Sequence, residues 1–348
     1  MNHAHGARSQ SEPRVSTAES SVAIVGLGYV GLPLALAAED VGYTVRGFDI
    51  DTAKVHALQK REALYLSPDE QHSFRRSSMQ ISDDAHIIRG ADIVIIAVPT
   101  PVNEDHTPDL TPLEGACAIV GAELAEGTLV IIESTVNPGA CETVALSILE
   151  ATSGLQGGAD FGFAHCPERV NPGDTTYTIA TIPRVVGALD AESLARATKF
   201  YRNVVRSEVV EMGSIKEAEA VKMVENSFRD INIAFVNELA MSFERAGIDI
   251  TNVIRGASTK PFGFMAHYPG CGVGGHCIPV DPYYLIHYGR ANGFAHRFLE
   301  TARTINNSMP IHTVDRLAEA LAENGIPIAG AKVALLGLSY KRDVGDTR

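Results

Sequence analysis

Nowhere in the 348 residues does an apolar run approach the roughly 18 consecutive positions that a membrane span requires, so no membrane partner is expected. The first twenty residues, MNHAHGARSQSEPRVSTAES, have no apolar core either. They do not form a secretory signal, and 1–20 is expected to be a disordered tail. Cysteine is scarce. The five present, Cys117, Cys141, Cys166, Cys271 and Cys277, are odd in number and scattered, which argues against a disulfide framework and for a reducing, cytoplasmic compartment. Basic residues are outnumbered, 29 Lys and Arg against 42 Asp and Glu for a net charge of −13, so a nucleic acid, which calls for a basic face, is not an expected partner. An anionic small molecule needs only a few local donors and stays open. Solenoid repeats and low-complexity tracts are absent as well. What remains is a chain that is 45% hydrophobic and long enough for two domains and part of a third.

Short apolar runs recur at 22–26, 43–49, 92–98, 129–133, 161–164, 184–187 and 208–212, with helix-length segments between several of them, the first beginning at 31–40. Such alternation predicts an α/β fold with a parallel sheet covered on both faces, here an N-terminal Rossmann dinucleotide-binding domain over 21–212. From Ser214 to about Ala246 the spacing turns helical, without Pro or Gly. A helix of some thirty residues is about 45 Å long, suited to the spine of an all-helical middle domain (213–308) or to a subunit interface. Gly247 is placed to end it as a C-cap glycine. A glycine-rich stretch at 269–282 is followed by expected helices at 283–308 and 311–324, the region 309–330 acting as a helical connector. The run 332–337 (KVALLG) reads as a fresh buried strand, so 331–348 is expected to be the first strand and loop of a truncated second Rossmann-like domain.

Four groups of residues carry chemistry. Gly26-x-Gly28-x-x-Gly31 lies between an expected strand and helix, with Asp49 eighteen residues past Gly31 at the end of the next strand. The glycines allow a tight turn and close approach of a pyrophosphate, and Asp49 accepts from the adenine ribose hydroxyls and repels a 2′-phosphate. NAD is therefore favoured over NADP; the competing reading is a glycine turn in some other α/β protein. Lys222 and Asn226, four apart, share a helix face and can stabilise an oxyanion, although such a pair alone is usually a solvated face. Cys277, in Gly274-Gly275-His276-Cys277-Ile278-Pro279-Val280-Asp281, is a candidate nucleophile with glycines that let a ligand approach and with Asp281 as base or water holder. Its alternatives are a buried small hydrophobe and a zinc site from Cys271, His276 and Cys277. Adjacent His and Cys do not have usual ligand spacing, so no metal is expected. Glu168, following His165 and Cys166, and Thr135, after Glu133 and Ser134, sit at strand C-termini, where ligands of open α/β sheets bind. Each alone would more often be structural.

The ordered segments GLGYVGLPLA, VPTP, ESTVNPG, CPERVNPGD, the Lys222–Asn226 helix, GVGGHCIPVDPYYL and GLSYKRDVGDTR resemble the UDP-glucose/GDP-mannose dehydrogenase family from Ser21 to Arg348. PERVNPGD, GGHCIPVDPYYL and ETARTINNSMP resemble its branch acting on UDP-N-acetylhexosamines. The resemblance implies an NAD-dependent nucleotide-sugar 6-dehydrogenase that takes a CH2OH to a carboxylate through a thiohemiacetal on Cys277, supplying uronic acids for surface polysaccharide. It implies that Lys222 and Asn226 stabilise the oxyanion, while Thr135, Glu168 and Asp281 handle protons and the hydrolytic water. Cofactor contacts are implied at Gly26, Gly28, Tyr29, Val30, Gly31, Asp49, Pro99, Thr100 and Thr135. Substrate contacts are implied at Glu168, Arg169, Val170, Lys222, Asn226, Gly274, Gly275 and Lys341. Where the glucose branch has a second Glu, this chain has Pro172, so no role carries over there, and none is given to Cys271. A UDP-sugar and a second copy of the chain, as a homodimer or higher oligomer, are the implied partners. Two rival readings are a two-electron β-hydroxyacid dehydrogenase and a catalytically incomplete, dimeric NAD-binding protein.

Overall fold

The computed structural model describes residues 20–63, 65–170, 177–275, 277–341 and 347. The expected tail (to residue 19), the Pro172 position, His276 with the zinc alternative that needs it, and 342–346 lie outside the described residues. The described residues form eight strands: β1 (Ser21–Val25), β2 (Thr44–Phe48), β3 (Gln80–Ser82), β4 (Ile93–Ile96), β5 (Leu129–Ile132), β6 (Gly162–His165), β7 (Arg184–Ala188) and β8 (Val209–Glu211). They make one sheet in the order β3-β2-β1-β4-β5-β6-β7-β8. β4 (IVII) and β5 (LVII) are buried at every position, the signature of central parallel strands with helices on both faces.

The helices on this sheet are α1 (Gly31–Asp40), α2 (Thr52–Gln59), α3 (Pro68–Arg76), α4 (Thr111–Glu123), α5 (Ser147–Ser153) and α6 (Ala191–Val204). On one face Leu32 and Leu36 of α1 and Phe200 and Val204 of α6 pack with Ile24, Ile95 and Ile131. On the other, Leu113 and Val120 of α4 and Leu149 of α5 pack with Val25, Val94 and Val130. Adjacent positions on a strand thus serve opposite cores, as the two-residue period requires. Each such fully buried aliphatic side chain contributes about 1.5–3 kcal/mol.

The sheet departs from the expected all-parallel form in one place. β6 and β7 run antiparallel, with Ala164 opposite Ala188 and His165 opposite Gly187. A parallel pair needs a crossover, usually helical, and between these strands the described residues form no helix. The short β3 went unanticipated because three residues are too few to display alternation.

The second half is helical: α7 (Ile215–Glu244), α8 (Ile250–Ala257), α9 (Asp281–Ala291) and α10 (Arg297–Glu323). α7 has the expected length. The Oγ of Ser214 caps it by accepting the Glu217 N–H at 3.2 Å. It ends in a Schellman motif, with the Ile248 N–H on Phe243 O at 2.9 Å and the Gly247 N–H on Glu244 O at 3.0 Å. The expected break between the last two helices is displaced. α10 runs continuously through Pro310, and the chain turns at 292–296 instead. A mid-helix proline removes one hydrogen bond and crowds the carbonyl four residues back; packing along α7 outweighs that cost here. No helix break therefore separates a connector at 309 from the middle region.

The segment 332–337 is exposed and forms no strand, contrary to its expected burial. Apolar composition favours a strand only where another strand can take its N–H and C=O groups, and no described strand lies beside it. No helix among the described residues is long and apolar enough to cross a membrane.

Candidate active site

The glycine motif turns directly off β1. Gly26 has φ +95°, and a Cβ there would stand 2.6 Å from Ala97 O. A Cβ at Gly31 would run into Gly26 O, while Gly28 has no heavy atom within 4 Å of its missing Cβ. Two glycines thus close the strand–helix corner, and the third leaves open space beside the α1 N-terminus, the end of a helix that favours anionic groups. Tyr29 and Val30 lead into that helix, and the Tyr29 ring leans on Tyr65 at 5.0 Å.

Asp49, the residue after β2, is almost fully buried. Its Oδ2 accepts the Leu27 N–H at 2.9 Å and the Lys54 ammonium at 2.9 Å, and its Oδ1 accepts the Asp51 N–H at 3.0 Å. The carboxylate is therefore held at the cradle by the motif's own backbone. Lys54 and Tyr65 were missed in the sequence. Tyr65 donates to Leu27 O at 2.6 Å, and its hydroxyl is pushed up from the ordinary tyrosine value by burial and by Asp49. For Asp49→Asn, which keeps the Leu27 contact but loses the charge, NAD binding is expected to weaken about tenfold, the scale of one charge-assisted hydrogen bond. NADP, relieved of repulsion and offered a released Lys54, is expected to tighten. Titration with both cofactors checks this; unchanged NADP affinity would remove Asp49 from the discrimination.

Beside the cradle, the Val98 N–H donates to Ser134 Oγ at 3.0 Å, and that hydroxyl donates back to Val98 O at 2.8 Å. This ties the loop carrying exposed Pro99 and half-buried Thr100 to the one carrying half-buried Thr135. From α9, the buried Tyr284 hydroxyl donates to Thr100 O at 2.9 Å, and the Tyr283 ring stacks on His106 at 4.2 Å. The start of α9, where Asp281 sits, is thereby fastened to the cofactor side.

The acid–base candidates converge there. Lys222 Nζ lies 3.7 Å from Glu168 Oε2, both largely buried. Asn226 Nδ2 donates to Asp281 Oδ2, and the Asp281 N–H donates to Cys277 O at 2.9 Å. Burial works against the charge on Lys222, but Glu168, Asp281, Cys277 and Glu225 outweigh it and hold the ammonium above its ordinary value. Glu168, Lys222, Asn226, Cys277 and Asp281, spread over three segments, so form one cluster. Oxygen-binding donors, carboxylates and a thiol in one place can add a nucleophile to a carbonyl and bear the resulting negative charge.

Arg169 is placed differently from a free substrate ligand. Its Nε and Nη2 donate to Glu225 of α7 and its Nη1 to Pro183 O at 2.9 Å, anchoring the loop that carries Glu168. The Val170 N–H turns back onto Glu168 Oε1. Beneath the loop, Arg184 is wholly buried 3.7 Å from Glu133 Oε1, which also accepts the Tyr201 hydroxyl at 2.6 Å. Burial raises the Glu133 carboxyl, and Glu133 in turn keeps Arg184 charged against burial. Half-buried Gly274 leads into buried Gly275. Gly275 has φ +88° and lies under the Tyr340 ring, 2.9 Å from a would-be Cβ, which brings the segment ending in Lys341 onto the Cys277 loop. Among the described residues, no group of three or more His, Cys, Asp or Glu is placed to hold a metal ion.

Comparison with known proteins agrees with this geometry. The NAD binding domain of the UDP-glucose/GDP-mannose dehydrogenase family matches residues 20–205, and the family's central domain matches 216–308. The UDP-N-acetyl-D-glucosamine 6-dehydrogenase of Pseudomonas aeruginosa is 40% identical over 329 residues, 94% of this chain and 77% of that protein. The UDP-N-acetyl-D-mannosamine dehydrogenase of Pyrococcus horikoshii is 37% identical over 331 residues, 94% and 78% of the two chains. A solved structure of the UDP-D-ManNAc dehydrogenase from Pyrococcus horikoshii superposes with a TM-score of 0.89 at 36% identity, again covering 94% and 78%. The chain therefore carries an NAD-binding domain over 20–205 and belongs to the UDP-glucose/GDP-mannose dehydrogenase family of nucleotide-sugar dehydrogenases.

Proposed function

We propose that this enzyme oxidises the C6 hydroxymethyl of a UDP-N-acetylhexosamine to the carboxylate, removing four electrons through a covalent intermediate on Cys277. The observation that carries the reading is the convergence of Lys222 with Glu168 and of Asn226 with Asp281, with Cys277 among the groups that act on Lys222. NAD, when bound, supplies the hydride acceptor for each of the two oxidations.

The residues divide the work as follows. Loss of the first hydride and the hydroxyl proton leaves an aldehyde, which has no second hydride to give until a nucleophile adds to its carbon. The Cys277 thiolate adds, and the carbonyl pair becomes an oxyanion facing the Lys222 ammonium and the Asn226 amide. Loss of the second hydride leaves a thioester. Water then attacks its carbonyl with a proton taken by Asp281 or Glu168, the C–S bond breaks, and the acid leaves with Cys277 restored. The balance is one alcohol, one water and two NAD giving one carboxylate, two NADH and three protons. Thr135 takes part in positioning water beyond the C-terminal end of β5. Val170, Gly274, Gly275 and Lys341 line the sugar-nucleotide side, and Arg169 acts there as an anchor. The enzyme works in the cytoplasm on precursors of a surface polysaccharide, as a homodimer or higher oligomer joined along α7.

The names of the Pseudomonas and Pyrococcus relatives support an N-acetylhexosamine as the sugar. The test is NADH formed per UDP-N-acetylhexosamine consumed, with UDP-N-acetylglucosamine, UDP-N-acetylgalactosamine and UDP-N-acetylmannosamine each offered. Two per sugar is expected. One per sugar would reduce the reaction to a two-electron oxidation. None, with NAD binding intact, would overturn the reading in favour of a catalytically incomplete NAD-binding protein.

A further inference from the structure

The segment ETARTINNSMP on α10 has no part in the chemistry above, yet it supplies the most buried polar network of the helical half. Asp230 and Asn237 of α7 and Asn306 of α10 are at most 1% exposed, and Arg303 is 5% exposed. The Gly270 N–H donates to Asn237 Oδ1 at 3.0 Å, and Asn237 Nδ2 donates to Asn306 Oδ1 at 2.9 Å. Asn306 Nδ2 donates to Asp230 Oδ1 at 2.8 Å and to Asp230 O at 3.0 Å. Arg303 Nη1 donates to the same Asp230 Oδ1 at 2.5 Å. From the glycine-rich loop the donors run through Asn237 and Asn306 to the Asp230 carboxylate, which also accepts from Arg303, and hydrogen bonds linked in this way polarise and strengthen one another.

The network also reaches the cofactor side. Arg303 Nη2 donates to Asn307 Oδ1 at 2.5 Å, Asn307 Nδ2 donates to the Tyr283 hydroxyl at 3.3 Å, and the guanidinium lies 5.6 Å from the Tyr283 ring centre. Tyr283 is the residue stacked on His106. At the loop end, the Gly272 backbone closes on Asn306 O, 3.2 Å from a would-be Cβ; this is the carbonyl that Pro310 cannot serve within the helix. Gly270 lies seven residues before Cys277, and Tyr283 lies six after it. The network therefore grips both flanks of the nucleophile's segment.

We infer that Arg303, Asp230, Asn306 and Asn237 are positioning residues that set the depth and orientation of Cys277 relative to the cofactor side, by holding Gly270 on one flank and Tyr283 on the other. None of them touches the reacting atoms. The inference rests on Cys277 being the nucleophile, as proposed above. A displacement of about 1 Å caused away from the chemistry can cost on the order of a hundredfold in rate, so loosening the grip is expected to lower kcat much more than it alters cofactor binding.

The test uses the full chain with NAD bound and the variants Asn237→Asp, Asn237→Ala and Arg303→Met. Asn237→Asp keeps the acceptor for Gly270 but, as a carboxylate, cannot donate to Asn306. Two quantities are read: kcat with the UDP-sugar, and the rate at which iodoacetamide alkylates Cys277, resolved from Cys271 by peptide mass spectrometry. A tenfold or greater fall in kcat, a changed Cys277 alkylation rate and an NAD Kd within twofold of the parent support the assignment. Parent-like kcat and alkylation in all three variants overturn it. So does a fall in kcat that merely tracks lost NAD affinity and lowered Tm, which marks general destabilisation. If the parent enzyme itself oxidises no UDP-sugar, the proposed function fails, and the alkylation rates alone still decide the positioning role.

Discussion

Cys277→Ser is expected to abolish net acid formation, with a loss on the order of 10³-fold or more, the scale seen when a covalent nucleophile is removed. A serine hydroxyl is not activated by ionisation near neutral pH, whereas a thiol is partly thiolate there and intrinsically nucleophilic. Without the adduct, the aldehyde has no route to its second oxidation. Because Cys277 stands on the glycine-rich loop and not in the Gly26–Gly31 corner, NAD binding should be unchanged in the variant. The checks are chromatographic assay of the sugar acid and a cofactor titration on the same preparation. Acid turnover at the parent rate would sink the covalent assignment, whatever happened to NADH.

Lys222→Met should lower kcat by about 10²–10³-fold, the usual cost of removing one donor to a developing oxyanion, with a smaller change in KM. The parent pH profile carries a second signature. Burial opposes the charge on Lys222, but Glu168, Asp281, Cys277 and Glu225 prevail and raise its proton affinity above the ordinary lysine value. A cationic group held this way contributes fully below its unfolded pKa and loses its contribution only as pH rises through the higher folded value. Lys222 should therefore impose no alkaline limb on kcat between about pH 6 and 9. The parent profile, set beside that of Lys222→Arg, measures this. A descending limb in that range that Lys222→Arg moves upward would show that the ammonium is losing its proton there.

Most of the fold was legible because central parallel strands are apolar on both faces and stand out as unbroken runs, as at 92–98 and 129–133. The strand–helix corner was legible because its glycines answer a local steric demand, and the shared helix face of Lys222 and Asn226 because of their spacing of four. The missing parts have a common cause. Arg184 on β7 is wholly buried against Glu133, fifty-one positions earlier, and over the Tyr201 ring. The pairing of Asn226 with Asp281 spans 55 residues and that of Arg303 with Asp230 spans 73; neither leaves a periodic trace. The resemblance implied Arg169 as a substrate contact, but Glu225 and Pro183 take its donors. Local rules also misjudged Pro310, a strong helix breaker by propensity that α10 passes through, and 332–337, whose apolar residues have no described neighbour to pair with.

The single span of α7 carries Lys222, Asn226, Asp230 and Asn237 in one unbroken register. One residue added or lost within it would swing everything downstream by about 100° and shift it by about 1.5 Å, pulling the loop brace out of phase with the oxyanion donors. The exposed stretch 258–266, ahead of the held Gly270, sits under no such screw-like constraint on length. Changes in length and composition are therefore better tolerated there than within α7, whose pitch fixes the spacing of Lys222, Asn226, Asp230 and Asn237.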